Sequence, residues 1–161
     1  MSLVSDPPIV SLDGRQSPTA LAVARGTQRL LVSLGHACVA ELPLASGRRA
    51  DLVALGRSGE IWIVEIKSSI EDFRVDAKWP DYRLHCDRLF FATAAHVAAE
   101  IFPADAGLIV ADAYGAELMR EAPEHRLHAA TRRSMMLAFA RAAARRLQAL
   151  ADPQGPYGEE L

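Results

Sequence analysis

The sequence predicts an α/β sandwich in which helices flank a central mixed β-sheet. Apolar residues recur at helical spacing over residues 19–34 and 129–151. Between residues 37 and 67, three strand-like runs are joined by turn residues, which is typical of an antiparallel unit. Two continuous apolar runs, at 88–93 and 107–112, are typical of strands covered on both faces. One sheet between two layers of helix accommodates all of these segments.

The first helix is predicted over Thr19–Leu34. Ser17 supplies its N-cap, and Pro18 suits its first turn because an N–H group at that position has no partner within the helix. The next run, Ala37–Leu42, predicts the first strand, which Pro43 ends.

A hairpin is predicted from Ala50–Leu55 and Ile61–Lys67, joined by the three-residue loop Arg57–Gly59. Counting back from this loop places Asp51 directly across from Glu65. Directly opposed side chains have Cβ atoms roughly 4.5–5.5 Å apart, so the two carboxylates could share one hard cation. A register slip of one residue would separate them.

Alternation along the second strand of the hairpin puts Glu65 and Lys67 on the same face. Only Lys67 and Lys78 are lysine among the 18 basic residues, so lysine is not the default cation of this chain. A lysine ammonium suits the orientation of a water or the neutralisation of a developing oxyanion. Two structural interpretations remain: an ion pair on a surface strand, and an Asp51 that bonds only to backbone groups.

Local signals define the later elements. Ser69 and Asp72 form a capping-box-like start for a short helix, which ends before residues 78–82. The elements predicted after it are a strand at 88–93, a short helix at 97–101, a strand at 107–112, an edge hairpin or loop at 117–126 and a helix at 129–151.

Composition indicates a soluble globular protein, with 50% hydrophobic and 24% charged residues in 161. One domain is predicted over residues 17–151, after an irregular arm at 1–16 and before a disordered tail at 152–161. The chain has no signal-peptide pattern and no apolar run long enough for a membrane span. Cys38 and Cys86 lack CxxC spacing, which argues against a thiolate zinc site of the common sort and a disulfide framework and favours small core residues in a reducing cytoplasm.

A net charge of −2 argues against a protein that coats nucleic acid without specificity, although a local basic surface is compatible with it. Five residues near the hairpin are candidates for contacts with phosphates or bases: Arg48, Arg49, Lys78, Trp79 and Tyr82. The alternatives are solvated hairpin charges and a packed tryptophan at a helix end.

The last helix carries an apolar stripe that we expect to face the core. Its members are Met136, Phe139, Ala143, Leu147 and Leu150. The arginines of this helix form either a solvated face, which we favour, or a strip that faces DNA. These arginines are Arg132, Arg133, Arg141, Arg145 and Arg146.

Asp51 with Glu65-Ile66-Lys67, on adjacent strands behind an N-terminal helix, resembles the PD-(D/E)XK nuclease superfamily. Within it, the chain resembles the MmcB-like DNA-repair proteins over about residues 21–150. The segments that carry this narrower resemblance are RADLVAL, IVEIKSS, DFRVDAKWPDY, CDRLFFAT and GLIVAD. The resemblance implies a restriction-endonuclease-like core and a site that uses Mg²⁺ or Mn²⁺.

The resemblance also implies roles for individual residues. Asp51 and Glu65 would be carboxylate ligands of the metal, and the main-chain carbonyl of Ile66 a further ligand. Lys67 would position the nucleophile or stabilise the transition state. Many members of the superfamily carry a glutamate on the first helix, where this chain has none, and Glu41 is the candidate to replace it.

Two functions follow from the resemblance. The first is a metal-dependent nuclease of DNA repair that acts on damaged or branched DNA. The second keeps the fold and loses turnover, giving a repair accessory that binds DNA or other repair proteins. A D…ExK pattern alone implies only phosphodiester chemistry, so DNA repair rests on the family resemblance.

Overall fold

A computed structural model describes residues 16–157 of the chain. Six strands form one sheet in sequence order. They are β1 (Ala37–Pro43), β2 (Arg49–Leu55), β3 (Ile61–Ile66), β4 (Arg88–Thr93), β5 (Gly107–Ala111) and β6 (Ala116–Arg120). The first three strands are antiparallel, β3, β4 and β5 are parallel, and β6 is antiparallel to β5. The predicted α/β class with a mixed sheet is confirmed.

Helices cover both faces of this sheet. They are α1 (Pro18–Ser33), α2 (Ile70–Val75) and α3 (Ala129–Ala151), with 3₁₀ helices at Trp79–His85 and Ala99–Ile101. One apolar core, containing Val23 and Leu31 of α1, lies on one face. A second core, containing Met135 and Phe139 of α3, lies on the other. None of the helices in residues 16–157 has the length and apolarity needed to cross a bilayer.

Most predicted bounds agree with the structure to within a residue or two, and the exceptions are short elements. The predicted break at 78–82 is the beginning of a 3₁₀ helix, in which Pro80 occupies a position that needs no N–H donor. The predicted helix at 97–101 is only the 3₁₀ turn Ala99–Ile101. The segment expected as an edge hairpin or loop begins as the edge strand β6 and continues without regular structure to the start of α3.

The predicted stripe on α3 is only partly correct. Phe139 is buried as expected, but Met135 and Ala142 are its buried companions. Leu147 and Leu150 are 67% and 60% exposed. Positions 135, 139 and 142 share one face of a helix, and α3 is rotated so that this face meets the sheet.

Two arginines of α3 have structural partners, which corrects the expectation of a solvated or DNA-facing row. Arg146 donates hydrogen bonds to the carbonyls of Ala40 and Glu41, and the second bond is 2.9 Å long. Arg132 forms an ion pair of 2.7 Å with Asp87 and also donates to the Gly59 carbonyl. Both side chains therefore attach α3 to the sheet.

Asp87 joins three parts of the chain immediately before β4. Its carboxylate is 2% exposed and accepts hydrogen bonds from the N–H groups of Ile61 and Leu127, at 2.8 and 2.9 Å, as well as from Arg132. Burial alone would raise the pKa of Asp87, but the Arg132 guanidinium and the two N–H groups hold it below its usual value. This buried acid is fully compensated by the protein.

We predict that Asp87→Asn lowers the free energy of unfolding at pH 7 by about 3–5 kcal/mol, because it leaves Arg132 without its buried partner. The pKa of Asp87 is lowered, so its stabilising effect is present above the unfolded-state pKa of about 3.9 and is lost as the pH falls through the lower folded value. Urea unfolding at pH 7 and at about pH 3 measures both effects.

Asp105→Asn is the control, because Asp105 is an exposed carboxylate that also pairs with an arginine, Arg83. It should change stability little at either pH. A deficit of the Asp87 variant that stays constant as the pH falls would contradict this account.

Candidate functional site

The turn between β2 and β3 has the predicted length. The Gly56 N–H donates to the Glu60 carbonyl at 2.8 Å, which closes a loop of three residues. Gly59 has φ of 90°, a conformation that glycine adopts without steric cost. The constant register of the β2–β3 ladder then places Asp51 across from Glu65, as expected.

Each of the two carboxylates accepts a hydrogen bond from a backbone N–H group of the opposite strand. The Asp51 N–H donates to Oε1 of Glu65 at 3.1 Å, and the Ile66 N–H donates to Oδ2 of Asp51 at 2.8 Å. The two carboxyl groups also interact with each other, and each shifts the pKa of the other. Asp51 therefore bonds to a backbone group, as the structural interpretation proposed, but it also meets a second acid.

The protein compensates these two acids poorly. Burial raises the pKa of Asp51, more than the hydrogen bond from Ile66 and the charge of Lys67 lower it. Burial and the neighbouring Asp51 carboxylate raise the pKa of Glu65 well above its usual value. Two like charges in one desolvated position are unfavourable, so the pair attracts a proton or a cation.

The donor set fits a hard divalent cation. Mg²⁺ is usually bound through one or two carboxylates and keeps several waters, so a carboxylate pair is sufficient protein ligation for it. Within residues 16–157 no group of three or more His, Cys, Asp and Glu side chains is arranged to hold a metal. Zinc sites usually need three or four protein ligands, so this set favours Mg²⁺ or Mn²⁺ over zinc.

Lys67 lies beside the pair, with its side chain 11% exposed. Its Nζ donates to Oδ2 of Asp76 at 2.6 Å, and its charge lowers the pKa of both Asp51 and Glu65. The Lys67 carbonyl accepts a 2.6 Å hydrogen bond from the hydroxyl of the buried Thr93. The lysine is therefore fixed through both its backbone and its side chain.

Asp76 is a residue of this site that sequence reasoning missed. It follows α2 directly, and its Oδ1 accepts the Lys78 N–H at 2.9 Å. Burial alone would raise the pKa of Asp76, but Lys67 and the backbone N–H groups hold it below its usual value. The sequence offered only one signal for Asp76, its position just beyond a predicted helix. Asp76 reaches Lys67 because the chain turns back toward β3 after α2, which the sequence pattern does not predict.

Glu41 lies next to this centre in the sheet, since the flanking β1–β2 pairs place it opposite Asp51. Its φ of 49° is unusual for a residue other than glycine and costs on the order of 1–3 kcal/mol. The buried carboxylate accepts a hydrogen bond of 3.2 Å from Gln16 and lies 3.9 Å from Arg49. Glu41 belongs to no ligand group of three in the described residues.

The charged residues expected to meet nucleic acid lie at the rim of the site. Arg48 binds Asp81 at 2.6 Å, and the Arg49 side chain is 50% exposed. Lys78 is exposed and follows Asp76 by two residues. All three basic residues therefore belong to segments that carry or contact the candidate site.

The two aromatic candidates pack into the protein instead. Trp79 contacts the rings of Phe73 and Phe91 and lies under the Arg83 guanidinium, so only part of its ring is exposed. Tyr82 is 8% exposed, and its hydroxyl donates to the Arg49 carbonyl at 3.0 Å. Its ring has almost no free face for a base, so Tyr82 holds the 3₁₀ helix against β2.

Comparison with known proteins places this chain in a family. The family model described as DNA repair protein MmcB-like matches residues 6–154. The chain belongs to the MmcB-like family. The chain is also similar to a solved structure that is 46% identical to it, the SPO1766 protein of unknown function from Silicibacter pomeroyi. The alignment has a TM-score of 0.85 and covers 91% of this chain and 99% of that chain. No curated protein matches the chain.

We predict that Glu65→Gln stabilises the metal-free protein at about pH 8 by about 1 kcal/mol, or about 2–4 °C in Tm. The glutamine amide can donate to the Asp51 carboxylate, which replaces a repulsive contact with an attractive one. The pKa of Glu65 is raised, so its contribution to stability is fully present below the unfolded-state pKa of about 4.3 and is lost as the pH rises. The advantage of the variant should therefore grow with pH.

Thermal unfolding in EDTA and in Mg²⁺ or Mn²⁺ measures this difference. The parent should gain about 2.7 kcal/mol at a metal concentration 100 times its Kd, and Glu65→Gln should gain little. Glu100→Gln, which changes an exposed acid, should behave as the parent. A variant that is less stable than the parent in EDTA, or that gains as much from the metal, would refute the assignment of this pair.

Proposed function

We propose that this MmcB-like protein is a divalent-metal-dependent nuclease that processes DNA during repair. The observation that carries this proposal is the crossed pair of Asp51 and Glu65 with the Lys67 ammonium beside it. A desolvated pair of acids with raised pKa values and an adjacent fixed lysine is costly as a purely structural feature. It suits a centre that holds a cation against a phosphodiester.

The fold supports the same proposal. An antiparallel hairpin whose second strand continues into a parallel β3–β4 pair presents both acids and the lysine at one end of the sheet. We infer that this arrangement is the restriction-endonuclease-like core of the PD-(D/E)XK superfamily. The family description, DNA repair, supports DNA as the substrate.

Asp51 and Glu65 would hold Mg²⁺ or Mn²⁺, with the carbonyl of Ile66 as a further ligand and waters in the remaining positions. When bound, such an ion polarises a phosphate and lowers the pKa of a coordinated water. The protein itself holds the two carboxylates and the Lys67 ammonium in position. Lys67 would orient the attacking water or donate to a non-bridging phosphate oxygen as negative charge develops there.

We infer that the DNA backbone crosses the rim formed by Arg49 and Lys78, with Arg48 held in place by Asp81. These cations would contact phosphates and carry no sequence information, so recognition would depend on the shape of damaged or branched DNA. Trp79 could contribute only the part of its ring that is exposed.

A second candidate function is a repair accessory with weak or absent turnover, which binds DNA or other repair proteins. Its specific support is the position of Glu41, whose carboxylate is already engaged by Gln16, together with the absence of an acid from α1. The site would then hold a metal through only two acids, which would weaken turnover more than folding.

We predict that the purified protein cleaves at least one of single-stranded, duplex, flap and abasic DNA in Mg²⁺ or Mn²⁺, and none in EDTA. Lys67→Met and Glu65→Gln should each lower the rate about 100-fold or more, because each removes a group that acts on the reacting phosphate. Glu100→Gln is the matched control. Cleavage by Glu65→Gln at the parental rate would rule out this site, and metal binding without cleavage of any substrate would favour the accessory.

We predict that Asp76→Asn lowers kcat about tenfold and leaves DNA affinity within about twofold, because Asp76 orients Lys67 and does not itself touch DNA. Single-turnover cleavage and fluorescence anisotropy separate the two quantities. Glu71→Gln, on the exposed side of α2, is the control and should leave both unchanged. A loss of DNA affinity equal to the loss of rate would mean that Asp76 acts in binding.

A further inference from the structure

Helix α3 carries a second apolar stripe that faces away from the sheet. Its members recur at alternating spacings of three and four residues: Leu137, Ala140, Ala144, Leu147 and Ala151. All of them are exposed, with Leu137 at 53% and Leu147 at 67%. This spacing is that of the seam along which two helices pack in a coiled coil.

The stripe is distinct from the face that α3 buries. Successive residues of a helix are about 100° apart, so Leu137 lies about 160° around the axis from the buried Phe139. Apolar residues on two opposite sides are expected when a helix is covered from both sides. Within residues 16–157, only the sheet side of α3 is covered.

A groove of about 610 Å³ lies at the N-terminal end of this stripe. Its apolar lining includes Leu127, Met136, Leu137 and Ala140, and Arg126 and Arg133 also line it. The groove is separate from the candidate nuclease site, because none of the residues assigned to that site lines it. The groove is therefore a concave surface, lined in part by arginines, at one end of an otherwise convex helix face.

The positive charge of α3 indicates which kind of partner could cover this surface. Over 23 residues α3 contains five arginines and no aspartate or glutamate. Arg132 and Arg146 are directed to the sheet, but Arg133 and Arg141 are exposed. A second copy of α3 packed on this face would bring like charges together, whereas an acidic segment would be attracted.

We propose that the exposed stripe of α3 docks an acidic amphipathic helix of a partner protein. The leucines fill gaps between apolar residues of the partner, and Ala140 and Ala144 allow the two helix axes to approach closely. Arg133 and Arg141 pair with acids that flank the partner's apolar residues. From Leu137 to Ala151 the stripe spans about 21 Å, which matches about four helical turns. This proposal is independent of nuclease activity.

The test uses a labelled synthetic peptide of about 21 residues with leucines at coiled-coil spacing and glutamates around them, measured by fluorescence anisotropy. A counterpart carries lysine in place of every glutamate. The parent should bind the acidic peptide at least about tenfold more tightly than the lysine peptide. The matched variants are Ala144→Glu, within the stripe, and Ala149→Glu, at an exposed position of the same helix outside it.

Ala144→Glu should weaken binding of the acidic peptide about tenfold or more, and Ala149→Glu should change it less than about twofold. Circular dichroism of both variants checks that α3 is intact. Equal affinity for the two peptides, or equal effects of the two variants, would overturn the proposal. A third outcome is that duplex DNA or anionic phosphatidylglycerol vesicles bind more tightly than the peptide and that Ala144→Glu abolishes this binding. That outcome would assign the surface to DNA or to a membrane instead. A dimer in sedimentation that Ala144→Glu dissociates would assign it to a second copy.

Discussion

Two desolvated carboxylates that the protein does not neutralise are the feature on which the site depends. Asp87, the buried acid before β4, differs from this pair in its partners. Asp87 is as little exposed as Glu65, but it receives an arginine and two N–H groups, and its pKa is lowered. Asp51 and Glu65 face each other, and their pKa values are raised. The same chain therefore compensates one buried acid for stability and leaves a pair that a cation can neutralise.

The surrounding structure keeps this pair in position. The three-residue turn fixes the register that brings the two strands' acids together, and Thr93 of β4 holds the backbone at Lys67. Asp76 fixes the lysine from the other side. Glu41 adopts its left-handed backbone beside the pair, where Arg146 of α3 binds its carbonyl. Elements from four parts of the chain therefore converge on one end of the sheet, as preorganised sites require.

Sequence reasoning located the pair because its determinants are local: strand alternation, a glycine turn and an acid at a countable distance. Local sequence signals also predicted the bounds of α3, but they did not predict the rotation of this helix about its own axis. Two apolar stripes on one helix compete for the core, and only packing against the sheet selects Met135 over Met136. Asp76 was missed, and Tyr82 was expected to meet nucleic acid when it is buried, for the same reason: tertiary contacts that no spacing rule encodes determine both positions.

The most direct test of the central claim is diffraction at the manganese absorption edge from crystals grown with Mn²⁺ at about pH 7.5. The account predicts an anomalous peak between the carboxylates of Asp51 and Glu65, with metal–oxygen distances of about 2.1 Å. The contrary result is the absence of a peak at saturating Mn²⁺, with the two carboxyl groups joined by a short hydrogen bond over a shared proton. That result would make the pair a structural acid dyad and remove the basis for metal-dependent cleavage.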